Sequence, residues 1–93
     1  MVYSWARWSL SGLEGIEPFE VLQVLYAELR WPRWAHGENG VAVLTIWGRT
    51  RSGRPLIVAV RRTEVREWLI VGARDMHLQE RAEFVRWEEA QHD

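Results

Sequence analysis

Arginine is the residue type whose number and placement in this chain best suit it to chemistry. All twelve basic residues among the 93 are arginines. Seven of them lie in the middle of the chain: Arg49, Arg51, Arg54, Arg61, Arg62, Arg66 and Arg74. The planar guanidinium group donates two parallel hydrogen bonds to a phosphate. This grouping predicts a phosphate-binding surface, and the alternative explanation is a genome-wide bias toward arginine.

The histidines are the second group considered for catalysis. His77 follows the arginine-rich segment, and imidazole has the ordinary pKa best suited to proton transfer near neutral pH. Its alternative role is to cap a helix. The three histidines (His36, His77 and His92) lack the spacing of metal ligands, and the chain has no cysteine. We therefore expect neither a metal site nor a cofactor.

Two helices are predicted to position these residues. The first begins at Pro18 and ends before Trp31-Pro32, because proline disfavours helical geometry in the residue before it. Its apolar stripe consists of Val21, Leu22, Leu25 and Leu29. The second begins after a cap at His77 or Asp75, and from His77 Glu80 can complete a capping box. Its narrow apolar stripe consists of Leu78, Ala82 and Val85.

Three apolar segments, at residues 41–50, 56–62 and 67–73, predict strands. Their short connections, one of them the turn at Ser52-Gly53, predict that the strands pair as antiparallel neighbours. Residues 3–9 predict a short strand or an ordered arm. Residues 31–40 predict a loop that exposes Trp31 and Trp34 to a protein partner, whereas Trp47 and Trp68 are expected inside the core.

These elements predict one α+β domain over residues 1–93. Its architecture is an antiparallel meander of three or more strands with both helices on one face. The opposite face is then exposed and edged with arginine, which makes it the expected binding surface. No apolar run approaches the ~20 residues of a membrane span, and the N-terminal residues lack the layout of a signal peptide. We expect a cytoplasmic protein without membrane contact.

Three blocks of sequence, in order, resemble a known family. The first is Gly15-Ile16-Glu17-Pro18-Phe19-Glu20-Val21. The second is the pair of apolar strands from Val43 to Val60, joined by a turn that ends in Gly53-Arg54. The third is Ile70-Val71-Gly72-Ala73-Arg74, followed by Glu80-Arg81 and Phe84. Together they resemble the BrnT family, small ribonuclease toxins of type II toxin–antitoxin systems.

The resemblance implies a RelE-like fold and metal-independent RNA cleavage, in which a ribose 2′-hydroxyl attacks the neighbouring phosphate. Such chemistry needs cationic donors on the phosphate, together with an acid and a base. Arg74 and Arg81 are expected on the phosphate and His77 in proton transfer. Arg54, Arg49 and Arg61 are expected to bind the RNA. The implied partners are a cognate antitoxin and an RNA substrate, in a homodimer or a toxin–antitoxin hetero-oligomer.

Two hypotheses remain open from the sequence, and a third is weaker. The first is the active toxin. The second is a toxin-fold module that has lost catalysis and binds a protein or nucleic-acid partner, because Asp75 and Phe84 stand where the family usually has lysine and tyrosine. Arg54, Arg74 and Arg81 each also have a plain alternative, which is either a solvated surface position or a pairing with a nearby glutamate. A DNA-binding regulator is disfavoured because the last helix is acidic and no helix-turn-helix is present.

Overall fold

The computed structural model describes residues 2–7, 9, 12–36, 40–64 and 67–91. These residues form five strands and two helices. In chain order the elements are β1 (Val2–Trp5), α1 (Pro18–Leu25), β2 (Arg30–His36), β3 (Ala42–Arg49), β4 (Pro55–Glu64), β5 (Glu67–Asp75) and α2 (Leu78–Ala90). The class is therefore α+β, as predicted. Arg66 and His92, singled out above, lie outside the described residues, as does Trp8 in the predicted N-terminal segment.

The strands form one sheet in the order β1-β5-β4-β3-β2. The three predicted strands became β3, β4 and β5, and they pair as antiparallel neighbours, as expected. The prediction of an antiparallel sheet throughout is wrong, because β1 lies parallel to β5 at the edge. Tyr3 and Trp5 of β1 pack against the main core, and the Ala6 amide donates to the Ile70 carbonyl at 3.0 Å. Burial of these aromatic rings holds the N-terminal segment in the sheet.

The two helices lie on opposite faces of the sheet, so the expectation that both cover one face is wrong. Helix α1 buries Val21, Val24 and Leu25 in the core that contains Ile46 and Val58. Helix α2 lies on the other face, where it buries Phe84 against Trp47 and Ile57. The side chains of these two strand residues point away from the core that α1 covers. The reason is that β3 and β4 are apolar on both sides, and both sides therefore need cover from water.

Residues 30–36 form the edge strand β2, so the prediction of a loop after a long first helix is wrong. Helix α1 ends at Leu25. Pro32, which excludes a helix here, is tolerated because proline occurs on edge strands. Trp31 is half-buried and stacks on Trp87 with ring centroids 5.3 Å apart. Trp34 is 66% exposed, as predicted.

Helix α2 begins as predicted but faces the sheet with different residues. The N-cap is His77, whose amide donates to the Glu80 carboxylate at 2.8 Å. The expected apolar stripe points outward instead, and Leu78 is 83% exposed. The physical reason is that Phe84 and Trp87, which have the largest apolar area on the helix, pack on the sheet. Among the described helices, none is long and apolar enough to span a membrane.

Candidate functional site: arginines paired at the sheet end and unpaired on helix α2

Three of the predicted site arginines meet at one end of the sheet. Arg49 ends β3, Arg54 precedes β4, and Arg74 lies near the end of β5, opposite Ile57. The turn between β3 and β4 closes with the Thr50 amide donating to the Arg54 carbonyl at 2.9 Å. Gly53 takes a φ of 94°, in the left-handed region that glycine adopts most easily. The antiparallel pairing therefore brings Arg54 and Arg74 to one end of the sheet, together with Arg49.

Arg54 is fully engaged within the protein. Its Nε and Nη2 donate to the two carboxylate oxygens of Asp75 at 2.8 and 2.9 Å. Its Nη1 donates to the Gly15 carbonyl at 2.8 Å and to Glu20 at 3.2 Å. The Arg54 guanidinium lowers the pKa of the Asp75 carboxyl. Arg54 therefore joins the start of β4, the end of β5 and the start of α1, which is a structural role.

Arg74 forms a two-pronged ion pair with Glu80 of helix α2. The two hydrogen bonds are 2.6 and 2.7 Å long. The Arg74 guanidinium is the main cause of a lowered pKa at Glu80, from its ordinary value of 4.5 to about 2, and the His77 amide adds to the effect. Glu80 is therefore ionised near neutral pH, where it has no proton to donate and is a weak base.

Arg49 has the same arrangement at the other end of α2. It donates to both carboxylate oxygens of Glu88, at 2.8 and 3.0 Å, and to the Gly53 carbonyl at 2.9 Å. The hydrogen bond with Glu88 raises the pKa of Arg49. We call Arg49, Arg54 and Arg74, with their carboxylate partners, the closed arginine cluster. For Arg74 the structure has the plain alternative from the sequence, pairing with a nearby glutamate, and for Arg54 it has pairing with Asp75 as well as Glu20.

Arg33 is a further paired arginine that the sequence reasoning missed. It lies over the rings of Trp31 and Trp47, at 4.4 and 4.9 Å from their centroids, and reaches Glu83 at 3.3 Å. The available signal was its position between two tryptophans, together with the surplus of glutamates in the last helix. Arg33 helps to hold α2 on the sheet.

Arg81 and Arg61 do not join this cluster. Arg81 lies on the side of α2 away from the sheet, where five residues line an open cleft of about 650 Å³. They are Leu78, Arg81, Ala82, Val85 and Arg86, and we call this surface the outer face of α2. Arg61 lies six residues beyond Pro55 on β4, about 20 Å away at the rise of an extended strand. Within the described ranges, no carboxylate lies within ion-pair distance of Arg61, Arg81 or Arg86.

Arg74 also borders a shallow groove on the α2 side of the sheet. The groove has a volume of about 260 Å³ and is lined by Thr45, Ile57, Ala59, Gly72, Ala73 and Arg74. Arg81 and His77 are not among its lining residues. The predicted catalytic set is thus divided, with Arg74 in the groove, His77 at the helix cap and Arg81 on the outer face of α2.

A second exposed apolar surface lies on α1. Phe19, Leu22 and Tyr26 point to solvent beside a cleft of about 510 Å³ that Arg51 also lines. Leu22 was expected in the stripe that faces the core; it is instead 36% exposed, in a row with Phe19 and Tyr26 at spacings of three and four residues. Across the described part of the chain, no three histidine or acidic side chains are grouped closely enough to hold a metal ion.

Comparison with models of known protein families and with curated protein sequences finds no match for this chain.

Proposed function

We propose that this chain is a toxin-type α+β module that works by binding a protein partner and does not cleave RNA itself. The observation that carries the proposal is the closed arginine cluster. Each of its three arginines, Arg49, Arg54 and Arg74, donates two guanidinium hydrogen bonds to a carboxylate of the same chain. Those donors are the ones a transferring phosphate needs.

The distribution of acid–base groups supports the same proposal. Glu80, the carboxylate nearest Arg74, has a pKa of about 2 and stays ionised. His77, the predicted proton carrier, forms the cap of α2 and does not line the groove that holds Arg74. General acid–base catalysis requires such groups within hydrogen-bond reach of the reacting atoms.

The family relationship remains part of the proposal. The ordered blocks that resemble the BrnT family, and the antiparallel run of β2 to β5 between two helices, support a RelE-like origin for the fold. On this proposal the protein is cytoplasmic. Its partner is encoded by the neighbouring gene, as an antitoxin is. The exposed apolar residues of both helices support a protein as the partner rather than a nucleic acid.

A second candidate function is the ribonuclease itself, and the groove beside Arg74 favours it. The Arg74 side chain is 49% exposed. Exposed ion pairs contribute only about 0–1 kcal/mol, so a phosphate can compete with Glu80 for the guanidinium. In this alternative Arg74 binds the phosphate from the groove, with Arg81 and His77 recruited from α2 and Arg61 binding the RNA further along β4.

Expression of the chain alone distinguishes the two candidates. We expect normal growth when soluble wild-type protein is induced, and intact cellular RNA after incubation with the purified protein. The matched comparison is the double variant Arg74→Ala with Arg81→Ala, which the binding proposal expects to behave like wild type. Growth arrest by wild type that the double variant relieves would establish the ribonuclease instead.

A further inference from the structure

We propose that the outer face of α2 is a docking surface for an amphipathic helix of a partner protein, with acidic residues on both sides of its apolar stripe. This inference deepens the proposed binding function and rests on it. The apolar part of the surface is a row at helical spacing, Leu78, Ala82 and Val85. Leu78 is 83% exposed, whereas Phe84 on the opposite side of the same helix is 1% exposed. A helix presented in this way offers one apolar stripe to the sheet and a second to solvent.

Charge decides which partner fits. Helix α2 carries Glu80, Glu83 and Glu88 on its sheet side, and these are bound by Arg74, Arg33 and Arg49, respectively. Those glutamates are therefore not available to neutralise the arginines of the outer face. The one remaining carboxylate of α2, Glu89, is exposed and forms no ion pair within the described ranges.

The two free arginines flank the apolar row. Arg81 and Arg86 are five residues apart, which places them about 7.5 Å apart along the axis and on opposite sides of Val85. A helix that packs over Val85 and Leu78 at the usual separation of about 8–10 Å brings its own flanking side chains to these guanidinium groups. Glutamate or aspartate at those flanking positions completes the two ion pairs, in the way that flanking charges select partners in coiled coils.

Other occupants fit this surface less well. Attachment to an anionic membrane takes about four to eight basic residues, and this surface has two. The same shortage disfavours a phosphate backbone, whose binding strength grows with the number of cations it meets. A second copy of the chain offers the same two arginines and, within the described ranges, only one carboxylate of α2 without an ion pair, Glu89, against the two that Arg81 and Arg86 need.

A charge-exchange experiment on the full chain tests the proposal. The probe is a fluorescein-labelled helical peptide of about 16 residues, roughly four turns, with leucines on one stripe and glutamates on both flanks. The matched peptide has lysine in place of each glutamate. We expect fluorescence anisotropy to show about tenfold tighter binding of the glutamate peptide by wild type. The double variant Arg81→Glu with Arg86→Glu should reverse that preference, and Leu78→Asp should abolish binding of both peptides.

The control variant carries Arg7→Glu with Arg62→Glu, the same change of charge at two exposed positions outside α2, and should bind both peptides like wild type. Circular dichroism melting curves confirm that each variant is folded. Equal affinity for the two peptides would overturn the proposal. So would loss of the preference in the control variant, binding to vesicles containing about 30% phosphatidylserine, or a wild-type dimer that Leu78→Asp dissociates.

Failure here is separable from failure of the proposed function. If neither peptide binds while RNA stays intact, the outer face of α2 is not the docking surface and the binding module uses another one. If wild type cleaves RNA, the proposed function is wrong whatever the peptides do.

Discussion

The closed arginine cluster and the outer face of α2 both contain arginines. Those of the cluster are paired with carboxylates, whereas those of the outer face have no such partner within the described residues. Arg74 lies against Glu80 with hydrogen bonds of 2.6 and 2.7 Å. Arg81 is the next residue of the helix after Glu80, yet within the described residues it meets no carboxylate. The difference comes from the faces of one helix, because Glu80, Glu83 and Glu88 of α2 lie on its sheet side and are bound by arginines there. Arginine content alone therefore does not identify a binding site; the position of the carboxylates does.

The largest expected effect contrasts the two sides of α2. Phe84→Ala should lower the free energy of unfolding by about 3–4 kcal/mol, because it opens a cavity between Trp47 and Ile57. Leu78→Ala on the outer face should change it by less than about 0.5 kcal/mol. Urea unfolding followed by tryptophan fluorescence measures both. A similar loss for the two variants would mean that the outer face is buried in the free protein.

The next effect compares a paired arginine with an unpaired one. Arg54→Met should cost about 2 kcal/mol, because it leaves the Glu20 carboxylate, 13% exposed, without its cation and frees the Gly15 carbonyl. Arg51→Met, at an exposed turn position, should cost less than about 0.5 kcal/mol. Thermal unfolding at neutral pH gives both values. Equal stability of the two variants would remove the structural role of Arg54.

A smaller effect appears with pH. The pKa of Glu80 is about 2 in the folded protein and about 4.5 when unfolded. The unfolded state therefore binds the proton more tightly, so the stability from this pair is complete above about pH 4.5 and is lost as the pH falls toward 2. After allowance for screening of an exposed partner, about 1 kcal/mol is at stake. Urea midpoints of wild type should fall more than those of Glu80→Gln across this window, and parallel curves would contradict the assignment.

The smallest effect is expected where the arginines are free. Replacing Arg81 and Arg86 together by alanine should change the free energy of unfolding by less than about 0.5 kcal/mol. The same variant should weaken binding of the acidic helical peptide. A large loss of stability would show that these arginines stabilise the folded protein. The proposed contrast, with structural arginines in the closed arginine cluster and binding arginines on the outer face of α2, would then be wrong.

The α+β class, the two helices and the strands β3, β4 and β5 could be read from the sequence, whereas β2 was predicted as a loop. Pro18 and His77 marked the helix starts, and the apolar segments around Trp47 and Val58 marked the central strands. The parallel pairing of β1 with β5 could not be read from the sequence. The four residues of β1 precede a long connection and carry no information about which strand they join. The placement of the helices was available in principle, because residues 41–50 are apolar at positions that face both sides of a strand, and such a strand needs cover on both.

The neighbouring positions of Arg54 and Arg74 could be predicted from the sequence, but the separate position of Arg81 and the pairing of the arginines with carboxylates could not. Antiparallel pairing was enough to bring Arg49, Arg54 and Arg74 to one end of the sheet. Their pairing depends on the rotation of α2, which decides where Glu80 and Glu88 point. That rotation is set by the burial of Phe84 and Trp87 rather than by the apolar stripe of Leu78, Ala82 and Val85. Three-dimensional packing therefore decided between a phosphate site and a set of ion pairs.

The central claim is that Glu80 occupies Arg74 and keeps it from binding phosphate. Its most direct test is the affinity of the chain for labelled single-stranded RNA, with and without the Glu80 carboxylate. Fluorescence anisotropy at about 0.15 M salt should show no saturable binding by wild type, and Glu80→Gln should raise the affinity by exposing the guanidinium. Tight binding by wild type that Arg74→Ala removes and Glu80→Gln leaves unchanged would contradict the account, because Arg74 would then be open to phosphate in the native protein.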